Sequence, residues 1–84
     1  MPKGNDMVLD TIIALVAQQF QMDEDEIAEG TVFADLGAEE LDIADLVMAV
    51  EDAFDTEIST DEANAIETVS DLVDLAERAV RSEE

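Results

Sequence analysis

The chain has 84 residues, enough for one small domain and too few for two independent hydrophobic cores. Its 24 Asp and Glu residues against three Lys and Arg give a formal net charge of -21, which disfavours nucleic acid and anionic lipid and favours basic protein partners. Because His, Cys, Tyr and Trp are absent, the usual nucleophile and base pairs and thiolate metal sites cannot be assembled, and we predict no catalytic and no metal-binding residues.

The first predicted element is an amphipathic helix of about four turns. Asn5 or Asp6 can cap it, and apolar residues repeat along it at i, i+4, namely Val8, Ile12, Val16 and Phe20. Its apolar run, residues 12–17, is too short to cross a bilayer. Residues 1–6 lack the apolar core of a signal peptide. We therefore expect a cytoplasmic protein that does not associate with membranes. We also expect a monomer.

An acidic segment follows, from Asp23 to Glu26, and it has the spacing of a capping box before a short turn that contains Ile27. Asp23 and Asp25 also alternate as in a calcium-binding loop. However, the third ligand position would be Ile27 and the required glycine would be Ala28, which excludes an EF-hand loop. Loose electrostatic binding of divalent cations by the clustered carboxylates stays open.

Residues 31–38 are predicted to form an ordered loop anchored by Val32, Phe33 and Leu36, and Gly37 permits a sharp turn into the next helix. That helix runs to Phe54. Its predicted core face comprises Leu46, Val47, Val50 and Phe54. Its other sides carry Leu41, Ile43, Ala44 and Met48, interleaved with Asp42, Asp45, Glu51 and Asp52.

Two more helix starts are indicated by capping-box spacing. Ser59 and Glu62 predict a short helix to about Ile66, and Thr68 and Asp71 predict a last helix with two cations in its final turns, Arg78 and Arg81. The predicted fold is an all-α bundle of three longer helices and one short helix. It forms a single domain over residues 1–84, with its core at about 7–80.

The segment of residues 32–58 resembles the acyl carrier proteins of fatty acid and polyketide synthesis, which have the motif D-L-G-x-D-S-L-D before an acidic helix. Its sequence is VFADLGAEELDIADLVMAVEDAFDTEI. The resemblance extends from about Val8 to Ala79. It implies the four-helix bundle of acyl carrier proteins and a 4′-phosphopantetheine arm on the serine. This chain departs from the family there, because Glu40 stands in the place of the serine and Glu39 in the place of the preceding Asp.

At Glu40, therefore, we do not expect the prosthetic group. A carboxylate is a poor nucleophile, and its product would be a labile acyl phosphate rather than a phosphodiester. A negative charge at a helix N-terminus is itself favourable by typically 0.3–1 kcal/mol, so the helix dipole alone can explain this glutamate. Two other interpretations stay open: Glu40 imitates the charge of the modified serine, or it was introduced to prevent modification.

The resemblance also implies a surface that docks onto basic patches of fatty acid or polyketide synthase enzymes. Matched to the family position by position, that surface consists of Asp35, Asp42, Asp45, Met48, Glu51, Asp52, Glu57 and Ile58. Met48 could instead be a half-buried packing residue, but the resemblance favours a partner contact. Two alternatives to an acyl-carrier relative are a regulatory or structural interaction module that carries nothing, and an acidic decoy or cation-binding protein unrelated to acyl metabolism.

Overall fold

The computed structural model describes residues 4–82, and the side chains of residues 7–81. Four α-helices make up the fold: α1 (Gly4–Phe20), α2 (Glu40–Phe54), α3 (Thr60–Ala65) and α4 (Val69–Ser82). Two short 3-10 turns, Glu24–Glu26 and Phe33–Leu36, lie between α1 and α2. This arrangement confirms the predicted all-α bundle of three longer helices and one short helix.

The core lies where α1 packs against both α2 and α4. Each of these three helices contributes side chains with no exposed surface, which are Ile12 and Val16, Leu46 and Val50, and Val69 and Leu72. These residues recur at three- and four-residue spacing, so each helix buries one face, as its sequence period predicts. The short helix α3 contributes no buried residue and is therefore the least anchored of the four.

Two predicted side-chain caps are wrong, although the short turn predicted after Asp23 is present. Helix α1 begins at Gly4, so Asn5 and Asp6 lie inside its first turn rather than at its N-cap. Asp23 precedes the first 3-10 turn, but its side chain makes no capping hydrogen bond. Backbone bonds close that turn instead, from Glu26 N–H to the Asp23 carbonyl at 3.0 Å and from Ile27 N–H to the Glu24 carbonyl at 3.0 Å. Because these backbone bonds already use the N–H groups of Glu26 and Ile27, this three-residue turn does not need a capping box.

The two other predicted caps are confirmed. Ser59 Oγ accepts from Glu62 N–H at 3.2 Å at the start of α3. At the start of α4, Thr68 Oγ1 accepts from Asp71 N–H at 3.1 Å, and Asp71 Oδ2 accepts from Thr68 N–H at 3.2 Å and Glu67 N–H at 2.9 Å. Because the backbone N–H groups of Glu67 and Thr68 donate to it, the pKa of the Asp71 carboxyl lies below its ordinary value.

The loop before α2 is fixed to the start of α4 by backbone pairing. Phe33 N–H donates to the Glu67 carbonyl at 2.9 Å, and Val69 N–H donates to the Thr31 carbonyl at 3.0 Å. An isolated antiparallel bridge joins Val32 to Thr68 between these bonds. The Phe33 side chain is buried beneath the loop. The predicted ordered loop is thus confirmed, and its order depends on residues more than thirty positions away in the chain.

The part of the chain that the structure describes contains neither a membrane-spanning helix nor a group of side chains that could bind a metal. Across residues 4–82, no helix combines the length and the apolarity that a bilayer crossing needs. Within the same residues, no three His, Cys, Asp or Glu side chains converge in a way that could hold a metal ion.

Candidate functional site

A left-handed turn at Gly37 brings the chain to the start of α2. Gly37 has φ 78°, a conformation that glycine adopts without steric cost. Its N–H donates to the Ala34 carbonyl at 3.1 Å, and Ala38 N–H donates to the Phe33 carbonyl at 3.2 Å. The predicted role of Gly37 is confirmed, and the turn fixes the position of the first residue of α2.

The first turn of α2 is rich in carboxylates. The helix begins at the exposed Glu40, after Glu39 in an extended conformation. Glu39 N–H donates to Asp42 Oδ2 at 3.0 Å, and Ile43 N–H donates to the Glu39 carbonyl at 3.0 Å. Because the N–H groups of a first helical turn lack intrahelical partners and carry the positive end of the dipole, this turn accommodates negative charge well.

The outer face of α2, which we define as Leu41, Asp45, Met48 and Asp52, lies opposite the core. These four side chains are all exposed, and their i, i+4, i+7, i+11 spacing puts them on one stripe. Leu41 is 76% exposed and Met48 55% exposed. The opposite stripe holds the buried Leu46, Val47 and Val50. The predicted core face is therefore confirmed for these three, whereas Phe54 is only partly buried.

The other predicted docking residues lie elsewhere. Asp35 is exposed on the 3-10 turn before Gly37, and Glu57 is exposed in the loop between α2 and α3. Asp42 is half-buried and its Oδ2 accepts the bond from Glu39 N–H. Glu51 is also half-buried, and its Oε2 accepts from Ile58 N–H at 2.8 Å. Ile58 itself is only 8% exposed, so it supports this surface from beneath.

An open cleft of about 830 Å³ lies beside the start of α2, between α2, α3 and the second 3-10 turn, and we call it the α2–α3 cleft. Its inner wall is apolar and includes Phe33, Ile43, Val47, Ile58, Ala63 and Ile66. Its rim carries the carboxylates of Glu39, Glu40, Glu51 and Glu67. Met48 also lines it, so the cleft adjoins the outer face of α2.

Two features of this site are missing from the sequence-based set. Leu41 is more exposed than Met48, and its spacing of seven residues from Met48 is the signal that could have identified it. Glu67 reaches the cleft rim because Phe33 and Thr31 pair with the chain around it, and no local pattern indicates that pairing. The outer face thus includes a second large apolar side chain beside its acids.

Three comparisons with known proteins bear on this site. The family model described as the phosphopantetheine attachment site matches residues 10–76. The chain is 42% identical over 71 residues to an acyl carrier protein of Sulfurovum sp. (strain NBC37-1), covering 83% of this chain and 95% of the relative. It is 45% identical over 64 residues to an acyl carrier protein of Syntrophobacter fumaroxidans (strain DSM 10017 / MPOB), covering 75% of this chain and 79% of the relative.

The fold is also similar to a solved structure. The crystal structure of an acyl carrier protein from Thermotoga maritima superposes with a TM-score of 0.82 at 25% sequence identity. The superposition covers 95% of this chain and 94% of that one. The similarity therefore includes the whole helical bundle and not only the segment around Glu40.

Proposed function

The chain belongs to the acyl carrier protein family, that of the phosphopantetheine attachment site, and from this we propose that it docks onto basic enzymes of fatty acid or polyketide synthesis without carrying a prosthetic group. Members of this family are carriers and not enzymes. The observation that carries the proposal is Glu40 at the first residue of α2, next to an exposed acidic face.

The residues at the helix start do not fit a covalently attached 4′-phosphopantetheine. Attachment in this family needs a hydroxyl, and the first turn of α2 offers only the carboxylates of Glu40 and Asp42 after Glu39. The serines Ser59 and Ser70 lie outside this turn, at or near the starts of α3 and α4. An acyl phosphate on Glu40 would hydrolyse readily. We therefore infer that the chain keeps the fold and surface of a carrier without its cargo.

Docking through the outer face of α2 is supported by charge and by exposure. Asp45 and Asp52 are exposed with Met48 between them, and Asp35 and Glu57 are exposed on the adjoining loops. Carboxylates around an apolar side chain suit a partner surface where Lys or Arg surrounds an apolar patch. Exposed charges act mainly on the association rate, so docking should weaken steeply with added salt.

Loading is tested by incubating the chain with coenzyme A and a phosphopantetheinyl transferase, followed by intact-mass measurement. We expect no mass increase for the present chain and the mass of one prosthetic group for Glu40→Ser. The Glu40→Gln variant is the matched control, because it removes the charge without supplying a hydroxyl. A mass increase on the unaltered chain would contradict the proposal, whichever residue carried it.

Docking is tested by binding to a ketosynthase, with Asp45 and Asp52 both changed to Lys. We expect the affinity to fall by about tenfold or more, because two attractive charges become repulsive. The control changes two exposed acids on other helices, Asp10 and Asp74, to Lys, which alters the net charge equally. Equal losses in the two double variants would show that total charge matters rather than the outer face of α2.

A second candidate function is a regulatory or structural interaction module outside acyl synthesis. The presence of Glu40 supports this candidate function as strongly as it supports the first one, since neither function requires a phosphopantetheine arm. The ketosynthase experiment separates the two candidates, because a module with a different partner has no reason to bind a ketosynthase in a manner that depends on Asp45 and Asp52.

A further inference from the structure

Met48 carries an oxidisable sulfur on the exposed surface of α2. The sequence has no Cys, Trp, Tyr or His, so its four methionines are the side chains that a mild oxidant attacks most readily. Met48 is 55% exposed. It also lines the α2–α3 cleft, so it lies where two surfaces of the candidate site meet. A small oxidant in water can therefore reach this side chain without any opening of the fold.

The other methionines differ from Met48 in exposure or in place. Met22 is half-buried and packs against the core, so it should react more slowly. Met7 is 75% exposed, but it belongs to α1 and not to the outer face of α2. Met1 lies outside the described residues. Among the described methionines, an oxidant thus reaches Met7 and Met48 most easily, and only the product at Met48 stands on the proposed docking surface.

The carboxylates around Met48 restrict both the oxidant and its product. Asp45 and Asp52 share the outer face of α2 with Met48, and Glu51 lines the cleft three residues onward. This negative field repels anionic oxidants and leaves a neutral hydroperoxide unaffected. Carboxylates accept hydrogen bonds and cannot donate them. On the outer face, a sulfoxide oxygen at Met48 would therefore take its hydrogen bonds from water.

We propose that Met48 is a reversible oxidation site, and that its sulfoxide releases the chain from docking partners. The Met48 sulfur attacks the terminal oxygen of a hydroperoxide, an S–O bond forms and the O–O bond breaks. The peroxide proton passes to the departing oxygen, which leaves as an alcohol, or as water from hydrogen peroxide. The sulfur is oxidised and the peroxide is reduced. In the reverse step, the thiols of a methionine sulfoxide reductase become a disulfide, and the oxygen leaves as water.

Oxidation changes what Met48 presents to a partner, and this consequence rests on the docking function proposed above. A flexible apolar side chain becomes polar and chiral. Docking would press the S=O group against the apolar patch of the partner and remove its water, which is unfavourable without a new hydrogen bond. We therefore expect the affinity to fall by about tenfold or more. The fold should persist, because Met48 is already in contact with water.

The test treats the chain with dilute hydrogen peroxide and locates each added oxygen atom by fragmentation in a mass spectrometer. Binding to a ketosynthase is measured before treatment, after treatment, and after incubation with reductases for both sulfoxide epimers. We expect Met7 and Met48 to gain oxygen well before Met22 does. The affinity should fall by about tenfold or more on oxidation and return on reduction. Circular dichroism verifies that the chain stays folded at each stage.

Two variants assign the loss of affinity to one sulfur. Met7→Leu should respond to peroxide like the unaltered chain, whereas Met48→Leu should bind equally well before and after treatment, whatever its starting affinity. Undiminished binding by a chain whose sulfoxide maps to Met48 would overturn the inference and leave docking intact. An equal loss of affinity in Met48→Leu would also overturn it, as would oxidation of Met7 without Met48. Failure of the untreated chain to bind would contradict the docking function itself, and release by oxidation with it.

Discussion

Among single residues, Asp71 shows how one side chain can determine a helix start. Its Oδ2 accepts from both Glu67 N–H and Thr68 N–H, while its own N–H donates to Thr68 Oγ1. These bonds satisfy backbone groups just where the loop before α2 pairs with the chain around Thr68. Losing the carboxylate should therefore weaken both the first turn of α4 and the loop that precedes the candidate site.

We predict that Asp71→Ala lowers the urea midpoint of unfolding at pH 7 more than Asp74→Ala does. Asp74 is exposed on the same helix, so its variant removes the same charge and controls for relief of repulsion. The pKa of Asp71 in the folded state lies below its unfolded value of about 3.9. The carboxylate therefore stabilises the fold at pH values above about 3.9, and this stabilisation is lost as pH falls through the folded pKa. The midpoints of the two variants should converge toward pH 3. A constant difference from pH 7 to pH 3 would contradict this account.

Local sequence patterns predict some helix starts and miss others for a physical reason. Ser59 and Thr68 are found from sequence because each cap needs only a partner three residues onward. The start of α1 at Gly4 is missed because the side chains of Asn5 and Asp6 could each accept a capping hydrogen bond, but the presence of such a side chain does not by itself fix where the helix begins. Asp23 fails for a different reason, since a 3-10 turn closed by its own backbone needs no side-chain cap.

At the scale of elements, α2 connects the core, the outer face and the cleft. Its apolar period predicts the buried stripe and thereby the exposed stripe on the opposite side. The cleft is not predictable in this way, because its walls come from α2, α3 and the Phe33–Leu36 turn. Their relative positions depend on bonds between distant residues, such as the bond from Phe33 N–H to the Glu67 carbonyl.

Glu51 fixes the loop from α2 to α3, and its variants test that role. We predict that Glu51→Ala accelerates amide hydrogen exchange at Ile58 by about tenfold, since the N–H loses a charged acceptor at 2.8 Å. Asp52→Ala, one residue onward and exposed, removes the same charge and should leave this rate unchanged. NMR measures both rates directly. Equal exchange rates at Ile58 in the two variants would mean that the loop does not depend on Glu51, which would then act through docking alone.

For the whole molecule, the full sequence has a net charge of -21, and the folded body has a radius of gyration of 11.9 Å. The Debye length is about 30 Å at 0.01 M ionic strength and about 10 Å at 0.1 M. Carboxylates on opposite sides of the bundle therefore repel one another at low salt and are screened from one another at moderate salt. The unfolded chain separates the same charges, so low salt should destabilise the fold.

We predict that the melting temperature rises steeply between about 0.01 M and 0.1 M NaCl at pH 7. Circular dichroism at 222 nm measures this rise. Choline chloride should act like NaCl, because screening does not depend on the cation's identity. Because Mg²⁺ and Ca²⁺ carry the same charge and screening depends on charge, the two cations should stabilise the fold alike. An unchanged melting temperature would refute the repulsion argument, and a large preference for Ca²⁺ would reveal a specific site instead of diffuse screening.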